Sequence, residues 1–310
     1  MTHHKQNKYL ITIVGPTAIG KTALAIQLAQ HYSCPIISAD SRQFFKEMSI
    51  GTAVPSEEEL AAAKHYFIQN ISIKDTYTVG DFERDAIALL DDLYKEHDVV
   101  IMVGGSGLYI DAVLKGFDDF PDIDESVREY IIENYNRHGI TWLQQELEKR
   151  DPEHYKRVAK ENPQRMMRAL EVCIGTGRPY SSFLNIKKNS RNFTPILIGL
   201  DADRELMYER INRRVDIMMD IGLLEEAKAL YQYKEYNALQ TVGYRELFSY
   251  FDGDYSLETA IEEIKKNTRR FAKRQMTWFR RNEAITWFNF ATPAEIIIQH
   301  INKMIHADSR

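Results

Sequence analysis

The sequence has very little cysteine and no long hydrophobic run. Its two cysteines, Cys34 and Cys173, lie 139 positions apart, which excludes a disulfide framework and leaves no pair at metal-ligand spacing. No apolar run approaches the roughly 18 residues that a membrane-spanning helix needs. The first eight residues are polar and lack the apolar core of a secretory signal. We therefore expect a protein of the reducing cytoplasm.

The chain also lacks a large excess of either charge. Over 310 residues, 40 Lys and Arg stand against 45 Asp and Glu, for a net charge of −5, which argues against a polycation that coats nucleic acid. One stretch departs from this balance. Residues 265–281 hold eight Lys or Arg and no acidic residue, whereas the rest of the chain has 45 acidic and 32 basic residues. Such a local basic patch can bind a polyanion.

The order of apolar runs and helical patterns indicates a parallel α/β fold. Short runs typical of buried strands occur at residues 9–14, 35–38, 98–103, 195–200 and 285–288. Segments with helical periodicity separate them, as in a parallel sheet flanked by helices. Four predicted helices and no convincing strand occupy residues 118–192. We therefore predict a core formed by residues 1–117 and 193–310, with residues 118–192 as a helical insertion domain.

A phosphate-binding motif follows the first predicted strand. The residues match G-x-x-x-x-G-K-[ST], and a predicted helix begins directly after the motif, which is the context that this motif requires. Backbone N–H groups of such a loop and the helix N-terminus bind phosphate oxygens. Lys21 would contact the terminal phosphate, and the Thr22 hydroxyl could bind Mg²⁺. The predicted phosphate-binding residues are Gly15, Pro16, Thr17, Ala18, Ile19, Gly20, Lys21 and Thr22. The fold prediction is accordingly a P-loop NTPase-like core.

The acid expected of an ATPase is missing from its usual place. In phosphoryl-transfer enzymes with this loop, a second strand ends in an acid that holds Mg²⁺ or positions water. Here Gly104 and Gly105 follow the strand at 98–103, and an acid, Asp40, follows the strand at 35–38 instead. Ligands bind beyond the C-terminal ends of parallel strands, so Asp40 should face the phosphate loop. Its carboxylate could bind Mg²⁺ or act as a general base, or it could simply cap a turn.

Further segments, spread between residues 10 and 281, resemble the tRNA dimethylallyltransferase family. They are residues 15–22, 37–43, 50–53, 77–82, 104–109, 163–172, 238–247 and 268–280. Departures are few. Ile19 replaces a small polar residue, Phe44 a Tyr, Val54 a Lys, and Ser106 a Thr whose hydroxyl it keeps.

This resemblance implies a particular reaction. The family transfers a dimethylallyl group from dimethylallyl diphosphate to N6 of the adenosine 3′-adjacent to the anticodon in tRNA, releasing diphosphate, with Mg²⁺ as cofactor. The phosphate loop would then hold the diphosphate leaving group. Two distant cysteines cannot build the zinc finger of eukaryotic relatives, so a bacterial-type enzyme is expected, acting as a monomer.

The resemblance also implies roles for individual residues. The expected catalytic residues are Asp40 as general base, Thr22 as a possible Mg²⁺ ligand, and Arg214 as a contact of the diphosphate. The expected tRNA contacts are Asp40, Ser41, Arg42, Gln43, Ser106, Arg128, Gln164, Arg165, Met166, Met167, Arg168, Gln240, Thr241, Val242, Gly243, Tyr244 and Arg245. Without the resemblance, Arg214 would be interpreted as an exposed, ion-paired arginine, and residues 164–168 as a solvated helix face.

The basic stretch 265–281 contains Phe271, Trp278 and Phe279 at helical spacing. We predict these aromatic side chains to belong to the core, which would leave the basic side chains outside to contact phosphates. Three other functions compete with the tRNA enzyme: a small-molecule kinase with a helical lid, an adenylate isopentenyltransferase, and a non-catalytic RNA-binding protein switched by a nucleotide. The missing acid after residue 103 and the basic C-terminal helix disfavour the kinase.

Overall fold

A computed structural model of the chain describes residues 7–118, 120–184 and 190–308. The described chain divides into two compact units. One comprises the residues up to Leu114 and those from Arg191 onward, and the other is Lys115–Ser190. The first unit holds a parallel sheet with strand order β3-β2-β4-β1-β5-β6. The prediction of a parallel α/β core is confirmed.

The strands and helices have the following bounds. The strands are β1 Tyr9–Val14, β2 Ile36–Ser38, β3 His65–Tyr66, β4 Val99–Val103, β5 Thr194–Asp201 and β6 Thr286–Asn289. The helices of the first unit are α1 Lys21–Tyr32, α2 Glu57–Ala62, α3 Val79–Leu93, α4 Gly107–Lys115, α9 Arg204–Asp220, α10 Leu223–Leu230, α11 Tyr244–Phe251, α12 Leu257–Phe279 and α13 Ala294–Asp308. Those of the second unit are α5 Glu125–His138, α6 Ile140–Arg150, α7 Pro152–Arg157 and α8 Pro163–Thr176.

The central strands are buried on both faces, as their continuous apolar sequences predict. In β1, Ile11 and Ile13 face one core cluster, which includes apolar residues of α1 and α13, while Leu10 and Val14 face a second cluster, built with α3 and α4. Helices therefore cover both sides of the sheet. This arrangement leaves the loops at the C-terminal ends of the strands as the place where polar side chains can meet.

Two elements escaped the sequence analysis. Helix α2 has no buried side chain, so it offers no apolar periodicity, and its one signal is the capping box of Ser56 and Glu59. Strand β3 has two residues and pairs with β2 at the edge of the sheet. Elements this short and this exposed carry almost no hydrophobic pattern.

The second unit is helical throughout its regular structure. Its core includes Ile131 of α5, Leu143 and Leu147 of α6, and Met166 and Leu170 of α8. Within the described residues, none of the helices of either unit combines the length and apolar character needed to cross a membrane.

Candidate active site

The phosphate loop joins β1 to α1 and is held in an unusual backbone conformation. Gly20 caps the helix with φ 106°, and at Gly15, where φ is 148°, a Cβ atom would lie 2.6 Å from the Leu200 carbonyl oxygen. Ala18 also adopts a positive φ, 62°, although it carries a side chain. Its carbonyl oxygen accepts a hydrogen bond from Nε of Arg210 at 3.0 Å. Arg210 of α9, which the sequence analysis did not single out, thus supports the strained residue.

Lys21 is a buried lysine whose charge interacts with those of Asp40 and Arg214. Its Nζ donates to the Pro16 carbonyl oxygen at 2.7 Å. Burial, reinforced by the charge of Arg214 and opposed by that of Asp40, lowers the pKa of Lys21 to about 8. Burial also lowers the pKa of Arg214. Two cations held in a partly dehydrated site favour a bound polyanion, whose charge would offset both penalties.

These groups line one cavity of about 550 Å³, together with Thr22 and Glu59. The side chain of Ile19 is apolar and takes no part in binding within this cavity. It is 1% exposed and packs in the core cluster that contains Ile11 and Ile13. The departure from the family pattern at this position is therefore accommodated by packing. Any contact of Ile19 with a ligand must use its backbone.

Asp40 follows β2 after one intervening residue and lines two adjoining cavities, of about 550 and 570 Å³. Its Oδ1 accepts a hydrogen bond from the backbone N–H of Arg42 at 3.2 Å, as in an Asx turn. The carboxylate therefore shapes its own turn and also faces the cavity. Its negative charge acts on both Lys21 and Arg214 and offsets part of the lowering of their pKa values by burial.

The glycines after β4 have a steric role. A Cβ atom on Gly104 would overlap the backbone of Ala39, so the loops after β2 and β4 can approach each other only because this residue lacks a side chain. Ser106 then joins the same two loops. Its Oγ accepts from the N–H of Ser41 at 3.1 Å and donates to the Ser41 hydroxyl at 3.1 Å.

Arg42 and Gln43 are partly buried, and their side chains form hydrogen bonds within the protein. The Arg42 guanidinium donates to the carbonyl oxygens of Asn237 and Ala238 at 2.8 and 2.9 Å, and burial lowers its pKa. The Gln43 amide accepts from the Ser38 hydroxyl at 3.0 Å and donates to the Ala53 carbonyl at 2.8 Å. Both side chains hold neighbouring segments against the cavity.

The segment from Gln240 to Arg245 lines the larger cavity, except for one side chain. Tyr244 is fully buried, and its hydroxyl donates to Glu226 at 2.6 Å. A Cβ atom on Gly51 would lie 2.6 Å from its ring. Tyr244 is thus a core residue rather than a surface for RNA.

Glu226 of α10 organises the loop at residues 49–51. Its carboxylate accepts backbone N–H bonds from Ser49, Ile50 and Gly51 at 2.8–3.0 Å, in addition to the hydroxyl of Tyr244. Nothing in the sequence marks this residue, since acids are common in the first turn of a helix.

The predicted tRNA contacts on α8, in the second unit, differ in exposure and fall into two groups. Gln164, Arg165 and Arg168 are exposed, whereas the side chains of Met166 and Met167 are 0% and 3% exposed and belong to the core of that unit. Met166 and Met167 therefore support the helix rather than present a surface. Arg128 and Arg168 both pair with Glu171, at 3.2 and 3.3 Å, and Arg128 also bonds to Gln164.

Helix α12 carries the three aromatic residues that were predicted to belong to the core, and one of them, Phe271, lines the cavities instead. Phe279 is a core residue, 3% exposed, and Trp278 is half-buried, with its Nε1 donating to Asp111 at 2.8 Å. Phe271, however, is 39% exposed and lines both cavities, so that prediction was wrong. In the C-terminal part of the helix, Ala272, Gln275, Met276 and Phe279 form the buried stripe, and Phe271 lies at its edge.

The site has oxygen ligands for a hard cation but no preformed metal cluster. Among the described residues, no group of three or more His, Cys, Asp or Glu side chains is placed to hold a metal ion. The Thr22 hydroxyl and the Asp40 carboxylate line the same cavity. That set fits Mg²⁺, which typically binds one or two protein oxygens and completes its shell with water and substrate phosphates.

Comparison with known proteins places this site in a family. Residues 43–282 match the family model of IPP transferase. The tRNA dimethylallyltransferase of Flavobacterium johnsoniae is 66% identical over 300 residues, covering 95% of this chain and 97% of that protein. Its counterpart from Flavobacterium psychrophilum is 63% identical over 305 residues and covers 96% and 99% of the two chains.

Solved structures agree. The crystal structure of the full-length tRNA isopentenylpyrophosphate transferase from Bacillus halodurans matches with a TM-score of 0.71 at 35% identity, covering 97% of this chain and 96% of that one. A eukaryotic dimethylallyltransferase captured acting on tRNA matches with a TM-score of 0.83 at 26% identity, covering 97% and 80%. These neighbours confirm the P-loop NTPase-like fold. The chain belongs to the IPP transferase family. It is a prenyltransferase.

Proposed function

We propose that this chain transfers a dimethylallyl group from dimethylallyl diphosphate to N6 of the adenosine 3′-adjacent to the anticodon in tRNA, and that it releases diphosphate. It would act in the cytoplasm on the anticodon stem-loop. One observation carries the proposal: the carboxylate of Asp40 faces the cations of a phosphate loop across a shared cavity, while glycines follow β4 where an ATPase has its acid. The site is thus built for an anionic leaving group and a proton-donating acceptor.

On the donor side, the chain's own residues stabilise the leaving group. As the bond between C1 of the donor and the diphosphate oxygen breaks, the electron pair remains on the diphosphate. Lys21, Arg214 and the backbone N–H groups at the N-terminus of α1 are positioned to bind that growing charge. Arg214, which lines both cavities, would contact the diphosphate together with the loop.

On the acceptor side, the exocyclic nitrogen of adenine attacks C1 and must lose a proton. Its lone pair is delocalised into the ring, so general-base help is valuable, of the order of 10²–10⁴-fold. Asp40 is the base in this proposal. The adenine must leave the stacked loop to reach it, and the roughly 570 Å³ cavity lined by Ser41, Ser106 and Gln240 would receive the extruded nucleotide.

A magnesium ion would be held by Thr22 and Asp40 together with oxygens of the diphosphate. When bound, it neutralises charge on the leaving group. Asp40 would then help to hold the ion and also accept the proton from the acceptor amine.

For tRNA binding, the proposal combines the cavity residues with two basic surfaces. Arg165 and Arg168 of α8 are exposed and would contact the anticodon loop. In the basic stretch, Lys265, Lys266 and Arg280 form ion pairs, whereas Arg270 and Lys273 are exposed. Neither of these two forms an ion pair with a described residue, and Arg270 donates only to the neutral side chain of Asn267 at 3.2 Å, so the charge of each would be available to phosphates.

The assay that tests this function uses labelled dimethylallyl diphosphate and Mg²⁺ with one acceptor at a time. We expect label on unmodified tRNA, none on AMP, and none on a tRNA that carries guanosine at the target position. Label on AMP alone would indicate the free-nucleotide enzyme. ADP formed from ATP, without any prenylated product, would indicate the kinase.

The lowered pKa of Lys21 predicts how donor use depends on pH. The protonated ammonium binds the diphosphate, and in the free protein its pKa is about 8. As pH rises above that value, the neutral form grows, so kcat/KM for the donor should fall up to about tenfold per pH unit. Steady-state kinetics between pH 6.5 and 9.5 would measure this. Lys21→Ala should lack the falling limb, and a flat wild-type profile would contradict the assignment.

The charge distribution predicts a steep salt dependence of tRNA binding. Each phosphate contact releases counterions, so removing Arg270 and Lys273 together should reduce the slope of log Kd against log salt by nearly two. Donor KM should not change. The matched control is Arg84→Ala with Lys95→Ala, which removes two exposed cations that pair with acids on α3 and should leave the slope intact. A wild-type affinity that ignores salt would refute the tRNA-substrate proposal.

A further inference from the structure

Gln275 of α12 is a buried polar residue at the boundary of the two cavities. Its side chain is 6% exposed, and it lines both. Both ends of its amide are used. Oε1 accepts the backbone N–H of Thr17 at 2.9 Å, and Nε2 donates to the Gly105 carbonyl oxygen at 3.0 Å. One side chain therefore joins the phosphate loop to the loop after β4.

The second loop leads directly to Asp40. Gly104 lies against the backbone of Ala39, where a side chain would overlap, and Ala39 precedes Asp40. Gly105 lies against the amide itself, since a Cβ atom there would overlap Nε2 of Gln275 and could be accommodated only if that side chain moved. Packing and hydrogen bonds thus run without a gap from Thr17 through Gln275 and the two glycines to the loop that carries Asp40.

We infer that Gln275 is a positioning residue for prenyl transfer, whose amide sets the distance between the loop that holds the diphosphate and the loop that carries Asp40. The inference rests on the proposed function. It also assigns the N–H of Thr17 to Gln275, which leaves the N–H groups from Ala18 onward for the diphosphate. Gln275 itself contacts neither the reacting carbon nor the acceptor nitrogen.

The distance between the two loops matters because the proposed reaction is a nucleophilic displacement at C1 of the donor. The acceptor nitrogen, C1 and the leaving oxygen must be aligned, and a misplacement of about 1 Å can cost roughly a hundredfold in rate. Without the amide, the Thr17 N–H and the Gly105 carbonyl lose their partner. The two loops can then move apart, although the residues of each loop are unchanged.

Single-turnover kinetics with excess enzyme and labelled donor separates positioning from stability. The rate constant reports chemistry in each active molecule, whereas the amplitude reports the fraction of active molecules. For Gln275→Leu we expect a rate constant 10- to 100-fold below wild type, with tRNA Kd within twofold. The control Met276→Ala removes a buried side chain of the same helix. It should lower thermal stability and amplitude but leave the rate constant within twofold.

A double-mutant cycle gives a second test that does not depend on Gln275→Leu folding well. Gly105→Ala places a methyl group where Nε2 lies and should displace the amide, so the rate constant should fall at least tenfold. In a Gln275→Ala background the space is free, and the same methyl group should change the rate constant less than threefold. Such non-additivity identifies the amide as the group through which both substitutions act.

The outcomes are distinct. If wild-type protein labels tRNA and Gln275→Leu keeps the wild-type rate constant, the positioning role is wrong and the proposed function stands. Additive effects in the cycle, or an equal loss of rate constant in Met276→Ala, would also overturn the role. Wild-type protein that leaves tRNA unlabelled would instead refute the proposed function, and the role with it.

Discussion

Asp40→Asn is expected to lower the single-turnover rate of prenyl transfer by about 10²–10⁴-fold and to leave tRNA affinity within twofold. The amide keeps the shape of the carboxylate and an oxygen that can accept the Arg42 N–H bond. It cannot take a proton from the acceptor amine. The defect should therefore appear in the chemical step, measured by mixing a preformed enzyme–tRNA complex with labelled donor.

The matched control is the other acid that lines the same cavity. Glu59 of α2 also faces the 550 Å³ space, so Glu59→Gln removes one negative charge without removing the base. Its rate should stay within about threefold of wild type. Equal rates for Asp40→Asn and wild type would remove Asp40 from the mechanism, whereas equal losses in both variants would mean that net charge, not proton transfer, is responsible.

Lys21→Ala is expected to reduce kcat/KM for the donor by about 10²–10³-fold, the range seen when a single preorganised electrostatic group is deleted. The ammonium is buried beside Arg214 and Asp40, and its charge would be matched by the diphosphate as the C1–O bond breaks. tRNA affinity should not change. Lys21→Arg should not restore activity, because a planar guanidinium cannot replace a compact ammonium there.

Calorimetry with inorganic diphosphate gives a readout that is independent of catalysis. Binding should weaken in Lys21→Ala at every Mg²⁺ concentration. In Thr22→Ala it should weaken mainly when Mg²⁺ is limiting, because that variant loses a ligand for the ion rather than a direct phosphate contact. A double variant that binds diphosphate and turns over normally in limiting Mg²⁺ would contradict the placement of the donor.

Several features could be predicted from the sequence because their causes are local. The sequence predicts a strand, a phosphate-binding loop and a helix in succession, because an apolar run is followed by a glycine-containing motif and a helical pattern. Gly15 and Gly20 stand where the backbone has a positive φ, which glycine adopts readily. Strand β1 was predicted with its observed bounds. Asp40 could be placed near the phosphate loop because parallel strands bring their C-terminal ends to one edge.

Other features could not be predicted because the sequence carries no pattern for them. Helix α2 buries no side chain, so periodicity could not reveal it. Phe271 shares the spacing of the core aromatics, yet it lies at the edge of the buried stripe and opens onto the cavities. A helical pattern identifies a face to within about one residue, and a large side chain at its margin can fall on either side.

The sequence alone therefore determined the parallel α/β core, the phosphate loop and the acid that faces it, since each follows from a local pattern or from the parallel order of the strands. Only the tertiary structure decided what holds them in place. Arg210 supports Ala18 across 192 positions, Glu226 supports Gly51 across 175, and Gln275 supports Thr17 across 258. A buried polar group must find a partner, but which partner it finds is decided by how the helices pack, and that information is spread over the whole chain.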